Sequence, residues 1–401
     1  MVAQATPSRG EVGIGHLFAY PFRIFFLSLA VWAVVIVPLW LMTLLTPMQL
    51  PLALPELYWH QHEMLYGLLN AAITGFLLTA VCTWTQTTGL HGGRLLALWL
   101  VWLAGRLALL TGDSLPPGLA LVPDLIFLPL VMLDAGLRIA RARQARQLII
   151  LVVLALLWLS QVGFLLSPDS ALSGSGLILA MALMQVVGGR ITPAFSGNWL
   201  RAHGRVDELP RSWPMLDRAA IYSTLLVAAL WLLAARLPGH AVLPGLLAAA
   251  ALLAAVLTLA RLWGWRGWRL AGEPLLWILH LSLLWIPVGL VLLAGSALGG
   301  WPDTVWKHAV GAGAMAGLIL GVISRVALGH TGRPLQLPRG MTLAFVLLHL
   351  AALVRVATAL GVLPWQRGLE LSALGWMLAF ALFLWRYAAI LASPRPDGRP
   401  G

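Results

Sequence analysis

The chain has 401 residues, of which 60% are hydrophobic and only 10% are charged. Because soluble globular chains carry about 25% charged residues, this composition excludes a soluble fold and predicts an all-α, polytopic membrane protein with membrane lipid as its surroundings. The formal net charge is +12, but the basic residues are scattered through short loops, so we expect no nucleic-acid partner. The single cysteine, Cys82, lies in an apolar run and excludes disulfides within the chain, C-x-x-C-H haem attachment and Cys-rich zinc sites.

Apolar windows of about 20 residues, the length needed to cross a bilayer, predict twelve transmembrane helices in one integral membrane domain over residues 1–401. We place the spans near 18–45, 60–85, 94–111, 118–138, 147–166, 173–193, 215–236, 241–263, 273–295, 306–328, 341–361 and 368–391.

The distribution of basic residues predicts the orientation of these spans. Positive charge favours cytoplasmic loops, and a cytoplasmic N-terminus puts most of the 26 Lys and Arg residues on the inner side. The exceptions are Arg106, Arg236, Lys307, Arg355 and Arg367. Both termini are therefore predicted to be cytoplasmic.

Polar side chains from separate spans are predicted to share one depth near the outer face. They are His60, His62 and Glu63 in span 2, Arg106 in span 3, Asp124 in span 4, His308 in span 10 and Arg355 in span 11. Any one of them alone is explained as an interfacial residue that extends toward water. Ionisable groups within a membrane usually face a cavity or one another, so the layer as a whole predicts a site.

Haem is the cofactor that such a layer suits. A neutral imidazole is an axial ligand of haem iron, so one histidine from each of two helices is enough, and Arg106 and Arg355 could pair with the two propionates. His60 and His62 are about 200° apart on an ideal helix. Either one of them binds the iron and the other serves a second centre, or the first turn is unwound. Glu63 is a candidate proton relay.

The small residues that follow His308, between Ala309 and Gly317, have two interpretations. They could leave room for a flat macrocycle against the backbone. They could equally serve close packing between helices, as small residues commonly do in membranes.

A second polar cluster is predicted on the inner side, in the stretches Gly188–Leu200 and Ser324–Pro334. Two glycines before Arg190, and Pro193 after it, predict that span 6 is interrupted near its cytoplasmic end, which would free backbone groups for neighbours or a ligand. His330 lies between two arginines and two glycines, either as a ligand or within an ordinary basic loop.

Four sequence blocks resemble the NnrS family of bacterial membrane proteins. They are P-F-R-I-F-F at Pro21–Phe26, W-H-x-H-E-M-x-x-G with G-F-L-L-T-A in span 2, G-G-R-I-T-P in span 6, and S-R-V-A-L-G-H-T-G-R-P after span 10. The resemblance implies a protein of the bacterial inner membrane that contains haem b, with copper left open as a second metal. It also implies nitric oxide or another small gas as ligand, and a role in nitric oxide response or nitrosative-stress tolerance during denitrification or host attack.

The resemblance also implies which residues form the site. The haem or metal positions are matched by His60 and His62, with His308 and His330 as further matches. Arg190 and Arg325 are motif arginines whose role the resemblance leaves open.

The chain is similar to haem–copper oxidases and respiratory nitric oxide reductases as well, in having twelve spans with histidines in spans 2 and 10. Those enzymes carry a His pair in span 7 and a His in span 6, whereas this sequence has no His-His dipeptide and no histidine in either span. A dinuclear centre of that design is therefore excluded, and whether the chain is an enzyme stays open.

Two functions from different classes account for these features. The first is a haem-binding membrane protein that binds or turns over nitric oxide, with no site for an electron donor evident in the sequence. The second is a multi-pass transporter or exporter of an anion or metal complex, in which Arg190 and Arg325 would contact the anion.

Overall fold

The structure, a computed structural model, describes residues 13–116 and 118–399. Within these residues the fold is all-helical, and twelve helices are long and apolar enough to cross a membrane, as predicted. They are α1 (Pro21–Leu45), α2 (Glu56–Thr85), α3 (Gly92–Leu110), α4 (Leu119–Arg141), α5 (Ala145–Leu166), α6 (Ser170–Ala202), α7 (Pro214–Arg236), α8 (Leu243–Gly264), α9 (Pro274–Ala297), α10 (Asp303–His330), α11 (Met341–Ala359) and α12 (Trp365–Ala392).

The predicted interruption of span 6 is wrong, because α6 runs without a break from Ser170 to Ala202. The paired glycines instead admit side chains from neighbouring helices. A Cβ at Gly188 would crowd Leu283, and one at Gly189 would collide with the Arg261 guanidinium. Arg261 Nη1 also donates to the Gln185 carbonyl at 2.9 Å. A side chain from α8 thus packs against this part of α6, and the helix continues through it.

The helices pack in succession as three arcs of four. The first arc is α11, α12, α1 and α2, the second is α3 to α6, and the third is α7 to α10. Each arc curves around a space that the inner helix of another arc closes: α10 closes the first, α2 the second and α6 the third. We call these spaces the first, second and third bays.

Helices α2, α6 and α10 meet at the centre of the molecule. In their apolar windows 78%, 83% and 83% of the residues are buried, against 61% or less in each of the other nine spans. A helix that is apolar all round is expected to be buried. The two helices that carry the outer histidines are therefore core elements rather than lipid-facing ones.

Helices α2 and α10 share a further feature, a π-helical segment directly inward of their histidines. The segments are Glu63–Gly67 in α2 and Ala309–Met315 in α10. Single π-helical turns within α-helices are rare and are frequent at functional sites.

The two ends of the described chain lie side by side. The Gly13 N–H donates to the Ala392 carbonyl at 3.2 Å, and Arg23 Nη1 donates to the carbonyls of Leu391 and Ser393 at 2.5 and 2.7 Å. Both ends are thus on the same side of the bundle; that this side is cytoplasmic remains a prediction from the basic loops.

Candidate functional site

The polar layer predicted near the outer face divides into two groups on either side of α2. His60, His308 and Arg355 form one group in the first bay, which we call the outer histidine site. His62, Glu63, Arg106 and Asp124 form a second group in the second bay, which we call the Arg106 network. Because His60 and His62 project from opposite sides of a regular helical turn, one helix supplies both groups.

His308 is held in an orientation that suits a ligand. Its Nδ1 is 2.6 Å from the Thr304 carbonyl oxygen, one turn earlier in α10. A carbonyl only accepts, so Nδ1 carries the proton and Nε2 keeps its lone pair. Metal-binding histidines are commonly fixed in this way.

His60 faces the same bay from α2. Its imidazole stacks on the indole of Trp40, with the ring centroids 4.3 Å apart and the planes 14° apart. It makes no hydrogen bond to a described residue, and its Nδ1 is buried without a partner. His308 lies within electrostatic range of His60, so the two imidazoles are neighbours in this bay.

Arg355 of α11 supplies an unneutralised positive charge to this site. It lies within electrostatic range of both His60 and His308, and it forms no hydrogen bond or ion pair with any residue that the structure describes. Lys307, which precedes His308 in α10, is different. Its Nζ lies 4.0 Å from an Asp303 carboxylate oxygen and 3.4 Å from the Ser170 carbonyl. Arg355 is therefore the residue that would meet an anionic group.

Two of the small residues after His308 serve the second purpose considered above, which is close packing between helices. A Cβ at Gly313 would collide with Trp285, and one at Gly317 would crowd Ser282 and His349, so these two glycines permit helix packing. A Cβ at Gly311, one turn inward of His308, would have no heavy atom within 4 Å. Open space thus lies next to the histidine.

Further inward, the first bay contains a small apolar cavity. Its lining residues come from four helices: Leu29, Leu68, Met315, Ala316, Ile319, Trp376 and Phe380. Its volume is about 10 Å³, which is room for about one water molecule.

The Arg106 network is buried throughout. Arg106 Nη1 lies 3.3 Å from Glu63 Oε2, and its Nη2 pairs with Asp124 Oδ1. Glu63 also accepts from Trp32 Nε1 at 2.8 Å and from His62 Nδ1 at 3.0 Å. These side chains are at most 4% exposed, so the charges are compensated inside the protein.

Two amides extend the network inward. Gln161 Nε2 lies 3.3 Å from His62 Nε2 and 3.5 Å from Asp124 Oδ1, and Gln161 Oε1 accepts from Asn70 Nδ2 at 3.1 Å. Both nitrogens of His62 therefore have partners, in contrast to those of His60. One histidine of the pair thus has a free ring nitrogen, and the other belongs to a separate hydrogen-bonded group.

Two glycines give the network its room. A Cβ at Gly67 would collide with Arg106 and would lie 2.7 Å from Glu63 Oε2, and a Cβ at Gly105 would lie 2.8 Å from Asp124 Oδ2. Gly67 ends the π-helical segment of α2, and its carbonyl accepts from Trp102 Nε1 at 3.1 Å. The π-helical turn thus brings Glu63 and Gly67 to one face of α2. There the Arg106 guanidinium packs against the backbone of Gly67, which has no side chain.

The inner residues of the predicted site lie far from the outer group. His330 ends α10, and 22 residues separate it from His308, about 33 Å of helix. It lines a cleft of about 510 Å³ together with Cys82 and the loop that follows α2. No three His, Cys, Asp or Glu side chains of the described ranges are grouped so that they could hold a metal ion.

The motif arginines of the inner side bind to neighbouring helices. Arg190 Nη1 donates to Gln147 Oε1 at 2.5 Å and its Nη2 to the Arg146 carbonyl at 3.2 Å, which joins α6 to the start of α5. The guanidinium of Arg325 lies 4.4 Å from the centroid of the Phe195 ring. Both contacts stabilise the packing of α6.

Sequence reasoning missed Gln161, Trp32 and Trp40. Gln161 is half of the one polar pair, Ser160–Gln161, within the apolar span 5, and that interruption was the available signal. Trp40 gave no such signal, because tryptophan is common near the ends of spans, and Trp32 gave none because it is one more apolar residue in the middle of an apolar span.

Comparison with known proteins identifies the family. The family model of the NnrS protein matches residues 16–395, nearly the whole chain. No significant match was found among curated proteins. The chain therefore belongs to the NnrS family, and it is a multi-pass membrane protein of the nitric oxide response.

Proposed function

We propose that this protein binds haem b at the outer histidine site, in the bacterial inner membrane, and acts in nitric oxide tolerance. His60 and His308 are the iron ligands in this proposal, and Arg355 pairs with a propionate. The proposal is supported by two imidazoles with free nitrogens and one unpaired guanidinium, contributed by three helices and lying within electrostatic range of one another.

The residues present fit this cofactor. Haem needs only one or two imidazoles from the protein, whereas a metal ion held by protein side chains alone needs about four ligands. Haem also needs positive charge at its propionates, which Arg355 would supply. When bound, haem would supply an iron that binds imidazole nitrogens or a small gas.

The neighbouring residues orient this site. The Thr304 carbonyl fixes the tautomer of His308, the Trp40 indole fixes the plane of His60, and Gly311 leaves space beside His308. Glu63, bonded to His62 and Arg106, is the group in α2 best placed to pass a proton on the inward side. Arg106 is already paired with two carboxylates, so we assign it to the network instead of to a propionate.

Copper at His330 has less support. His330 and Cys82 line the same cleft, but two side chains are fewer than a stable metal centre usually has. We therefore keep the proposal to a single cofactor at the outer end.

The experiment is a visible absorption spectrum of the full-length protein, purified in detergent from cells supplied with haem. A Soret band in the wild type that is lost in His60→Ala and in His308→Ala is the expected result. His203→Ala is the matched control, because His203 is exposed and bonds only to its own helix. A shift of the band when nitric oxide is added would support the role in binding the gas.

A second pair of variants tests the propionate contact. Arg355→Gln should lower haem occupancy, whereas Lys307→Gln, a nearby basic residue that is already paired, should leave it unchanged. Full haem occupancy in both histidine variants would overturn the ligand assignment. A colourless wild type would instead favour the second candidate, a transporter or exporter of an anion or metal complex.

A further inference from the structure

Two connections between helices form one surface at the end of the bundle where α1 begins. They are residues 203–213, which join α6 to α7, and residues 265–273, which join α8 to α9. Arg266 Nη1 donates to the Asp207 carbonyl at 2.8 Å, so the second connection packs against the first. Because successive spans run in opposite directions, both connections lie on the same side as the two chain ends.

Three tryptophans on this surface are exposed instead of buried. Trp213, Trp263 and Trp268 are 47%, 71% and 50% exposed, and the rings of Trp263 and Trp268 lie with their centroids 4.6 Å apart. Trp213 packs against Gly264, where a Cβ would lie 2.5 Å from its ring. An indole has an apolar body and one polar group, and tryptophans at the ends of spans are enriched at the level of the lipid headgroups. The three rings therefore mark the depth of the headgroups on this side.

The same surface carries an excess of positive charge. Residues 199–218 and 261–273 contain seven arginines and four carboxylates, which is a net charge of +3. Arg211 and Arg266 form no ion pair with any residue that the structure describes. Guanidinium groups form strong, often bidentate hydrogen bonds with phosphate oxygens. A phosphate group with a net negative charge is therefore the ligand that this surface would attract.

Two of the arginines are held beside the exposed pair of tryptophans. Arg266 lies between Trp263 and Trp268 in the chain and has a φ of 53°, which is uncommon for a residue other than glycine. Arg269 directly follows Trp268, and its side chain is 53% exposed. Its Nε lies 3.7 Å from Glu208 Oε2, which is too far for a hydrogen bond. Both guanidinium groups thus keep donors for a further acceptor next to the indoles.

We propose that this surface binds the headgroup of an acidic phospholipid in the leaflet on the side of the chain ends. Arg266 and Arg269 donate to the phosphate, and Trp263 and Trp268 pack beside the glycerol and the first part of the acyl chains. Clusters of about four to eight basic residues at the membrane boundary are typical of sites for acidic lipids. A zwitterionic headgroup carries its own positive charge, so the net charge of this surface favours the acidic lipid.

Native mass spectrometry of the full-length protein, released from a neutral detergent with added phosphatidylglycerol or phosphatidylcholine, tests this proposal. We expect the wild type to bind phosphatidylglycerol more tightly than phosphatidylcholine. Arg266→Gln/Arg269→Gln should weaken the binding of phosphatidylglycerol by about thirtyfold, since each arginine near an anionic lipid contributes about fivefold in affinity.

The matched control is Arg141→Gln/Arg143→Gln. It removes two exposed arginines from the same side of the bundle, at the end of α4, and Arg143 also has a positive φ, of 52°. This variant should bind phosphatidylglycerol as the wild type does. Equal weakening in the two double variants would overturn the proposal, because positive charge anywhere on this side would then be enough.

Trp263→Ala covers the case in which the arginine variant fails to fold. Trp263 is 71% exposed, so its removal leaves the packing of the bundle intact, and it should weaken the binding of phosphatidylglycerol. Equal affinity of the wild type for the two lipids would contradict the proposal. A wild-type dimer that Trp263→Ala separates into monomers would also contradict it, because the surface would then be an interface between two copies. The measurement needs no haem, so its result is independent of the proposed function.

Discussion

Replacement of Arg106 by methionine is the most informative test of the buried network. Methionine has a similar length and fills the space without charge, so the change removes the guanidinium while Glu63 and Asp124 stay buried. Arg106 is 1% exposed, and removing one partner of a buried ion pair typically costs about 3–5 kcal/mol. We therefore expect Arg106→Met to lower the free energy of unfolding by about that amount.

The matched control is Arg236→Ala, which removes an ion pair with Asp169 in which the side chains are 54% and 35% exposed. Exposed pairs contribute about 0–1 kcal/mol, so this variant should be close to the wild type. Unfolding by sodium dodecyl sulfate in mixed micelles measures both.

The double variant Arg106→Met/Asp124→Asn adds a test of the coupling between the two residues. Because the asparagine removes the carboxyl that the arginine would otherwise compensate, the combined loss should be smaller than the sum of the two single losses. Equal stability of Arg106→Met and Arg236→Ala would refute the reasoning, since it would mean that the two buried carboxylates do not depend on the guanidinium.

Three further predictions follow from the packing and the caps. Gly67→Ala should destabilise the protein by about 1–3 kcal/mol in the same micelle titration, because its Cβ would collide with Arg106, whereas Gly311→Ala should be nearly neutral; equal effects would contradict the packing described. Pro193→Ala should leave α6 and haem occupancy intact, because the helix is continuous there, and loss of haem in this variant would show that the proline is needed. Outside the spans, burial acts to raise the pKa of Asp169, but the bonds from the Ala171 N–H and from Arg236 outweigh it and leave the pKa below its ordinary value of 3.8. A lowered carboxyl pKa contributes stability at pH values above the ordinary pKa, and this contribution is lost as the pH falls through the lowered pKa. Asp169→Asn should therefore reduce the fall in the free energy of unfolding at acid pH. An unchanged fall would refute the assignment.

The sequence predicted the twelve helices because hydrocarbon thickness sets the length of an apolar span, and that length can be read directly. It failed at Gly188, Gly189 and Pro193, where the helix continues; Arg261 from another helix packs against Gly189 and donates to the Gln185 carbonyl. Such support depends on a contact between residues more than 70 positions apart in the chain, and no local pattern indicates it.

The depth of the polar layer could be predicted from the sequence, whereas its division into two groups could not. Depth in the membrane follows from position along each span, so the polar layer could be predicted. Which of its members face each other depends on how each helix is rotated and which bay it borders. That information separated His60 from His62 and paired Arg106 with Glu63 and Asp124.

The π-helical segment of α2 has a consequence for the angular register of that helix. Its inner part is docked where Gly75 meets Phe25 and Phe26, and its outer turn presents His60 and His62 to different bays. The wide turn between them holds one residue more than an α-helical turn would. Deleting a single residue from Glu63–Gly67 would convert the wide turn to an α-helical one and would leave the outer turn, with His60 and His62, close to its present rotation about the helix axis. The extra residue is therefore accommodated within one turn, where it changes the spacing of Glu63 and Gly67 and not the direction of the two histidines.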